Sequence, residues 1–356
     1  MSHSGGVHPL EGEREGRNEM SDSRTAERDT EGDSHGDARG ASRGGTHGGT
    51  PTEVFTRHRE LLFSIVYNML GSIADTEDVL QETWLSWAGR QGRAAGAGEE
   101  IGNPRAYLVR IAVNHALAHR AVVSRRRETY VGPWLPEPLV APDGPAAGES
   151  ADAAAHAMRT ESLSMALLVV LETLSPLERA VFILHEVFGY PHTEIAKILE
   201  RRAPAVRQIA RRARAHVHAR RPRYQARPRV RQQVTERFVA AAMGGDLASL
   251  MEILAPEVTL WTDGGGKAPR SALRPVHGRE RVARALTGYA SRPPEGLEIR
   301  HRSVGGDAAA VVFTHGSPYA VMVMDLDAEG RQVSGVYLVT NPDKLARLET
   351  RGDGEA

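Results

Sequence analysis

Cysteine is absent from the 356 residues of the chain. Its absence excludes disulfides, iron–sulfur clusters and zinc sites built on thiolates, and it suits a reducing compartment. Long apolar runs are missing too, because no stretch reaches the ~18 residues that a membrane span requires. The amino-terminal segment is also too polar for a secretory signal. We therefore expect a cytoplasmic protein with no membrane partner.

Net charge is lacking as well. The 45 basic and 45 acidic residues balance, so no overall field draws the chain to nucleic acid. The basic charge is local instead: between Arg201 and Arg231 there are twelve arginines and no acidic residue. Arg207 and Arg211 lie four residues apart, a spacing at which like charges repel on a helix. Phosphate groups relieve such repulsion, so this segment predicts DNA binding.

The same segment has the pattern of a helix-turn-helix. A short amphipathic helix over 192–199 is followed by a break at 200–203 and a longer helix that starts at Pro204. Apolar residues repeat at helical spacing in the longer helix at Val206, Ile209, Ala210, Ala213 and Val217. The second helix of such a motif enters the major groove of DNA. The candidate DNA-binding residues are Arg202, Arg207, Gln208, Arg211, Arg212 and Arg214.

Before this motif, the composition separates a polar amino-terminal segment from a helical region. Residues 1–50 contain scarcely an aliphatic side chain, and we expect them to be disordered. Three amphipathic helices are predicted next: one ending at Gly71, one from Ala74 to an interruption that begins at Gly89, and one from Asn103. Their inward-facing residues are Phe55, Leu62, Ile65, Val66, Met69 and Leu70, then Val79, Leu80, Thr83, Trp84 and Trp87, then Leu108, Ile111, Ala112, His115 and Leu117.

Two blocks of this sequence carry a family resemblance. The residues from Asp75 to Trp84 resemble conserved region 2.2 of the extracytoplasmic-function sigma factors, and 107–114 with the arginines at 125–127 are similar to regions 2.3 and 2.4. The residues 174–217 resemble region 4, including its helix-turn-helix. One departure lies in the turn, where Glu200 stands in place of the usual glycine; another is Ala203, where serine is more usual before the helix. The resemblance covers roughly residues 52–222.

The resemblance implies a partner for each block. It implies that RNA polymerase core is bound by Asp75, Glu77, Asp78, Gln81, Glu82 and Trp84. It implies that the −10 promoter element is contacted by Arg110, Asn114, Arg125, Arg126 and Arg127, and that the helix-turn-helix reads the −35 element. The predicted fold is multi-domain, with all-α sigma domains over 51–130 and 156–222 joined by a linker over 131–155.

After Arg231 the sequence becomes nearly neutral and rich in strand patterns. A helix is followed by strand-like runs at 258–262, 297–303, 308–314, 319–325 and 333–340. This pattern predicts a separate α+β domain over 230–346 with a short tail over 347–356. The domain resembles the cone-shaped SnoaL-like fold. With the motifs at 134–138, 263–267 and 341–345, the chain resembles the sigma-J-like group of sigma factors, which carry such a domain.

A contact between the linker and this domain is predicted. A tryptophan in a proline-stiffened strip gains by packing, and glycines let a facing backbone approach. The candidate residues are Trp134, Leu135 and Pro136 in the linker, and Asp263, Gly264, Gly265, Gly266, Lys267, Asn341, Pro342, Asp343, Lys344 and Leu345 in the carboxyl-terminal domain. We expect the fused domain to regulate the sigma domains in place of a separate anti-sigma protein.

Two other functions stay open at this point. The carboxyl-terminal domain would be an enzyme if Asp263, His277, Asp307 or His315 served as a base, but no spacing among them is diagnostic. The chain would be a helix-turn-helix regulator with a ligand-binding domain if the region 2 block had another use. The three glycines at 264–266 lack the spacing of a phosphate loop, and the histidines lack metal-ligand spacing. We therefore predict no catalytic residue, no metal and no cofactor.

Overall fold

A computed structural model describes residues 50–97, 101–140, 163–220, 227–269 and 271–348, with side chains left out at 91–97. The segment 1–49 of the expected disordered tail, the residues 349–356 of the short carboxyl-terminal tail, and the linker after Val140 lie outside these ranges. Everything described falls in one unit that begins at Gly49. Within the described residues, no helix combines the length and the apolar character needed to cross a membrane.

The amino-terminal helices are α1 (Pro51–Leu70), α2 (Ile73–Ala97) and α3 (Pro104–Glu128). A capping box between Thr50 and Glu53 starts α1, and Gly71 ends it in the left-handed conformation at φ 72°. The expected interruption at Gly89 is wrong, because α2 continues to Ala97. Alanine and arginine favour helix strongly enough to offset about 1 kcal/mol for each glycine.

The second helical group consists of α4 (Met165–Leu171), α5 (Pro176–Phe182), a π-helical turn (Ile183–Val187), α6 (His192–Ile198) and α7 (Ala203–Arg220). Helix α5 has its own capping box, in which Ser175 and Glu178 satisfy each other's backbone. The two helical groups do not have separate cores. Buried residues of α1–α3 and of α5–α7 form a single apolar cluster, so the groups are packed directly on each other.

The carboxyl-terminal part begins with α8 (Pro228–Gly244) and α9 (Leu247–Ile253) and contains α10 (Arg279–Ala290) and α11 (Pro342–Leu345). Its strands are β1 (Leu254–Asp263), β2 (Val276–His277), β3 (Leu297–Val304), β4 (Asp307–Thr314), β5 (Ser317–Leu326) and β6 (Val333–Val339). The five predicted strands are confirmed, whereas the short β2 had no sequence signal. The α+β class is confirmed as well.

These strands form one sheet in the order β2-β1-β6-β5-β4-β3, parallel between β1 and β6 and antiparallel elsewhere. Apolar residues of one face pack with α8, α9 and α10. The opposite face is covered by Leu135 from the linker, Met165 and Ala166 from α4, and Leu345 from α11. Residues far apart in the sequence therefore close the outer face of the sheet.

Candidate interdomain and nucleic-acid-binding sites

The helix-turn-helix consists of α6 and α7. The predicted apolar stripe of α7 is buried against the rest of the motif, at Val206, Ile209, Ala210, Ala213 and Val217. Helix α7 begins at Ala203, one residue earlier than expected, with Pro204 in its first turn. Glu200 takes the left-handed conformation at φ 51°, which glycine adopts at less cost. The departure at this position therefore leaves the turn in place.

The exposed side of α7 carries the basic candidates. Arg202, Arg207, Gln208 and Arg211 are exposed, and among the described residues no carboxylate pairs with Arg207 or Arg211. Arg212 lies 3.4 Å from Glu178. Arg214 lies 2.5 Å from Glu186. Arg207, Gln208 and Arg211 are thus the groups most available to a ligand outside the chain.

The candidates on α2 have mixed surroundings. Asp78, Gln81 and Glu82 are exposed, whereas Trp84 packs edge-on against Phe55 with ring centroids 5.3 Å apart. Glu77 is held by an ion pair of 2.7 Å to Arg59. Sequence reasoning missed Leu85, which is 63% exposed one turn after Gln81. The exposed leucine adds an apolar centre to this polar face.

Asp75 and Asp78 also lie near His119, with candidate donor atoms within 4.8 Å of one another, a grouping that could hold a metal ion. His119 Nε2 is 3.0 Å from Asp75 Oδ1, and Arg126 lies 3.7 Å from the same oxygen. The guanidinium supplies positive charge where a cation would sit, so this grouping carries no metal proposal.

The candidates on α3 divide into two groups. Arg110, Asn114, Arg125 and Arg126 are exposed. Asn114 Nδ2 donates to the carbonyl of Ile198 at 3.4 Å, so it touches the helix-turn-helix directly. The placement of the fifth candidate, Arg127, differs from the expectation of a DNA-facing arginine. Its guanidinium is largely buried because it stacks on a tryptophan of the linker and pairs with an acidic residue of the second helical group.

That acidic residue is Glu172, which sequence reasoning missed. Its carboxylate accepts hydrogen bonds from Arg120, Arg127 and Arg179, the first at 3.0 Å. The same three guanidiniums donate to the last carbonyls of α1: those of Met69 (2.8 Å), Leu70 (2.6 Å) and Asn68 (2.9 Å), in that order. Cations suit a helix carboxyl terminus. The cluster therefore ties the second helical group to the end of α1.

The charges of this cluster depend on one another. Burial alone would raise the pKa of the Glu172 carboxyl, but Arg179, Arg127 and Arg120 outweigh it and hold the pKa at about 2. Burial lowers the pKa of Arg127 to about 10, although Glu172 opposes the shift. Glu172 is thus ionised in the folded chain and is the acidic centre on which the three guanidiniums converge.

The linker contact is centred on Asp263, whose side chain is fully buried. Its carboxylate accepts from the Tyr130 hydroxyl at 2.5 Å, the Leu135 amide at 2.8 Å and the Lys344 ammonium at 2.7 Å. Lys344 also donates to the Leu135 carbonyl. Trp134 is contacted by two cations, with Arg127 3.3 Å and Lys344 4.2 Å from ring centroids.

Burial dominates the titration of this site. It lowers the pKa of Lys344, while the Asp263 carboxylate acts in the opposite direction. Burial and then the hydrogen bond to Asp263 raise the pKa of Tyr130. Tyr130 was not among the sequence candidates, because a single tyrosine just after a predicted helix gives no signal of such a role. Its hydroxyl also accepts from Asn341 Nδ2 at 2.8 Å.

Close backbone approach explains the glycines of the 263–267 motif. A Cβ on Gly265 would collide with Asn341 and would lie 3.0 Å from the Tyr130 hydroxyl. A Cβ on Gly266 would lie 3.0 Å from Cβ of Val131. Both glycines have positive φ, at 59° and 72°, so glycine is favoured by conformation as well. Gly264 packs instead on a residue of its own domain, Ser271.

The linker strip, residues 134–138, contacts α1 and α2 through its carboxyl-terminal end. The Glu137 amide donates to the carbonyl of Gly71 at 2.8 Å, and the Glu137 carbonyl accepts from the Tyr67 hydroxyl at 2.5 Å. The Glu137 carboxylate accepts from the Ile73 amide at 2.8 Å, while burial raises the pKa of this carboxyl. Pro136 Cβ lies 3.5 Å from the Cβ that Gly71 lacks. The strip is therefore fixed on both sides.

The structure brings most of the predicted linker-contact residues together. Asn341, Lys344 and Leu345 join Leu135 and Asp263 in the buried contact. Lys267 and Asp343 form an ion pair of 2.5 Å with both side chains more than half exposed, and Pro342 is exposed beside them. These three residues lie at the rim.

The titratable candidates for catalysis are scattered. Asp263 serves the linker contact, and His277 bonds to Thr259 at 3.0 Å. Asp307 pairs with Arg231 at 2.5 Å, and His315 occupies a turn at φ 49°. Among the described residues, none of these four lines the cavity between the sheet and helices α8 and α10.

Comparisons with known proteins agree with this architecture. The chain matches the families Sigma-70 region 2 over 54–127, Sigma-70 region 4 over 164–217 and SnoaL-like domain over 235–340. It is 34% identical over 301 residues to the ECF RNA polymerase sigma factor SigJ of Mycobacterium tuberculosis, covering 82% of this chain and 92% of that one.

Two further similarities point the same way. The chain is 30% identical over 298 residues to the probable ECF RNA polymerase sigma factor SigI of the same species, covering 83% of this chain and 95% of that one. The crystal structure of Mycobacterium tuberculosis SigJ superimposes with a TM-score of 0.64 at 31% identity, covering 83% of this chain and 98% of that one.

Proposed function

The chain belongs to the extracytoplasmic-function RNA polymerase sigma factors, and we propose that its fused carboxyl-terminal domain controls when the sigma domains engage a promoter. As a sigma factor it directs transcription initiation with RNA polymerase core. The proposed control of promoter engagement by the carboxyl-terminal domain rests on one observation. The buried carboxylate of Asp263 binds Tyr130 at the end of the first sigma domain and Leu135 in the linker between the two sigma domains.

The partners of the sigma domains follow from which surfaces are free. The exposed side of α2, with Asp78, Gln81 and Glu82, is the proposed surface for RNA polymerase core, and exposed Leu85 extends it. On α7, Arg207 and Gln208 lie opposite the buried stripe and are the proposed readers of the −35 element. Arg110, Asn114, Arg125 and Arg126 on α3 are proposed for the −10 element.

The two proposed readers are packed on each other in this arrangement. Asn114 bonds to the carbonyl of Ile198 at the end of α6, and the Arg105 guanidinium lies 5.4 Å from the Tyr190 ring centroid. Both contacts join region 2 to region 4. The −10 and −35 elements of a promoter are separated along the DNA. The proposed DNA-binding residues on α3 and α7 must therefore move apart before both can bind. We infer that the described arrangement is the resting state.

The carboxyl-terminal domain has the position and the tether to hold that state. Its outer sheet face is covered by Leu135 from the linker and by Met165 and Ala166 from the start of region 4. A tether within one chain keeps the effective concentration of such contacts on the order of millimolar. A regulator built into the chain can therefore act without a separate anti-sigma protein. We propose that this sigma factor needs none.

A reversible covalent lock tests this control. The chain has no cysteine, so the double variant Val131→Cys and Gly266→Cys can form only one intramolecular disulfide. The two Cβ positions lie 3.0 Å apart, against about 3.8 Å in disulfides, so the loops need to move by less than about 1 Å. In transcription with core polymerase, we expect the oxidised variant to be inactive and the reduced variant to recover.

The single variants Val131→Cys and Gly266→Cys control for the substitutions themselves, including the strain of a side chain at φ 72°. Their activity should not respond to reductant. Equal transcription by the oxidised and reduced double variant, with the disulfide verified by mass, would show that linker docking does not limit promoter engagement.

A further inference from the structure

A cavity lies between helices α8 and α10 and the face of the sheet on which they pack, and the proposed function does not use it. It holds about 80 Å³ that the centre of a water-sized molecule can occupy. Its wall is mainly aliphatic, and includes Leu286, Val312, Ala320, Met322 and Leu338. Binding sites for small molecules are mostly apolar with a few polar groups, and one water needs only about 10–15 Å³ of volume measured in this way, so the cavity has room for a small molecule.

The polar groups of the wall are few. They are the hydroxyls of Ser271, Tyr289, Tyr319 and Thr340 and the guanidinium of Arg292. In the described part of the wall there is no carboxylate or imidazole, the groups that most often act as general base. The lining therefore suits binding of a small molecule rather than acid–base chemistry on it.

One side of the cavity wall is also part of the linker contact. Ser271 Oγ lies 3.0 Å from Thr340 Oγ1, and Thr340 donates to the carbonyl of Asp263 through its amide at 2.8 Å and its hydroxyl at 3.2 Å. The amide of Asn341 donates to the same carbonyl at 2.9 Å. The backbone of Asp263 thus contacts the cavity wall, while its carboxylate holds the linker.

Close packing prevents Ser271 and Thr340 from moving independently of the Asp263 backbone. A Cβ on Gly264 would collide with Ser271, so the loop after β1 lies directly on the cavity wall. A molecule that displaces Ser271 or Thr340 must also shift the backbone of Asp263. Two sites that share a structural unit of this kind affect each other's binding reciprocally.

We propose that this cavity binds a small, mainly apolar molecule with a single oxygen-bearing polar group, and that its occupancy alters the docking of the linker on Asp263. The apolar wall takes the hydrocarbon part, and the hydroxyls of Ser271 and Thr340 take the polar group. The effect on the linker rests on the proposed function, whereas binding itself does not depend on it.

Binding is tested on the full-length chain with the fluorescent probe anilinonaphthalene sulfonate, displaced by octan-1-ol or by octanoate. The two competitors share a chain and differ in charge, so their comparison shows whether Arg292 favours an anion. Ala290→Leu narrows the cavity, and Ala240→Leu makes the same change on the exposed side of α8. We expect saturable probe binding that either competitor displaces, weakened about tenfold by Ala290→Leu alone.

Coupling is measured by hydrogen exchange of the 131–139 segment, which contains the Leu135 amide. Saturating octan-1-ol should change its exchange rate at least several-fold in the native chain. Ser271→Ala, which removes a hydroxyl without filling the cavity, should bind the probe but show a smaller change. Unchanged exchange with intact binding would overturn the coupling.

The binding proposal has its own failing result. If the probe does not bind saturably, or if Ala290→Leu and Ala240→Leu bind it as the native chain does, the cavity is not the site. The folding of both variants is verified by thermal unfolding. None of these measurements uses transcription, so they leave the test of promoter control independent.

Discussion

Individual residues of the linker contact should differ greatly in how much they stabilise the docked linker. Asp263 is fully buried, and Lys344 supplies its only cation among the described residues. Lys267 and Asp343 pair nearby with their side chains 56% and 62% exposed. A buried charge that loses its partner is costly, whereas an exposed ion pair contributes about 0–1 kcal/mol. Two lysines of one contact therefore offer a matched comparison.

The first prediction compares these two lysines. Lys344→Met should destabilise the docked linker by about 3 kcal/mol, because Asp263 would remain buried without its cation. Lys267→Met should change it by less than about 1 kcal/mol. Hydrogen exchange of the 131–139 segment measures the effect. Equal protection in both variants would mean that the Asp263–Lys344 pair does not hold the linker.

A second prediction at this scale concerns base recognition. Arg207 is exposed on α7 opposite the buried stripe, and the described residues offer it no carboxylate partner. A bidentate contact from arginine to guanine contributes roughly 1–3 kcal/mol of discrimination. Arg207→Ala should therefore change the preferred base at one −35 position, measured by binding to a library of promoter variants. Arg212→Ala is the control, since Glu178 already pairs with Arg212.

A uniform loss of affinity across the library would give Arg207 a different role. It would then contact phosphate, which carries no sequence information. The salt dependence of binding separates the two roles, because a lost phosphate contact lowers its slope by about 1.

At the scale of elements, several parts of the chain meet at the end of α1. Its last carbonyls accept from Arg120, Arg127 and Arg179, and these guanidiniums surround Glu172 at the end of α4. The linker strip joins at the next residue, where the Glu137 amide binds the carbonyl of Gly71. One helix terminus thus positions region 2, region 4 and the linker together.

The third prediction follows from the charge balance of this junction. Glu172→Gln removes the carboxylate on which three guanidiniums converge, so it should destabilise the packing of region 4 on region 2 by about 3–5 kcal/mol. Glu178→Gln is the matched control, because glutamine also serves in a capping box. Urea unfolding of the full-length proteins measures both changes.

The pH dependence of the same variant has a definite sign. The pKa of Glu172 is about 2 in the folded chain, below the ordinary value for glutamate. A lowered folded-state pKa contributes stability that is present above the unfolded pKa and is lost as the pH falls towards the folded one. The difference in the free energy of unfolding between the native and Glu172→Gln proteins should therefore be constant above about pH 5 and shrink towards pH 2. A difference independent of pH would indicate packing rather than charge.

At the scale of the whole molecule, three parts that differ in composition share their buried surfaces. The helical groups form one apolar cluster, and the linker and α4 complete the outer face of the sheet. Removing the carboxyl-terminal part would expose Leu135, Met165 and Ala166 to water. It would also release the linker from Asp263, so the loss affects both stability and the freedom of the readers.

The last prediction concerns this removal. A chain that ends at residue 226 should initiate transcription several-fold more strongly than the full chain and unfold at lower temperature, because the restraint and the covering sheet are both lost. In vitro transcription with core polymerase gives the first measurement and thermal unfolding the second. Lys344→Met in the full chain should raise transcription less, in the same direction. A truncated protein as active as the full chain would leave the domain without a controlling role.

The sequence alone determined the parts of this protein. Helical periodicity located α1 and α3, the start of α2 and the apolar stripe of α7, since burial of one face repeats every three to four residues. Alternating strand patterns located most of the sheet, and two motif blocks were sufficient to identify the family. Such signals are local, so a single sequence displays them.

Only the tertiary structure decided what those parts do to one another. Arg127 belongs by sequence to a basic cluster, yet Glu172 and Trp134 draw it inside because they satisfy its charge and its flat guanidinium. Tyr130, Glu137 and Glu172 gave no sequence signal, since each has at least one partner that lies 45 or more residues away. Hydrogen bonds and ion pairs act over a few ångströms in space, and separation along the chain does not predict which groups will be that close.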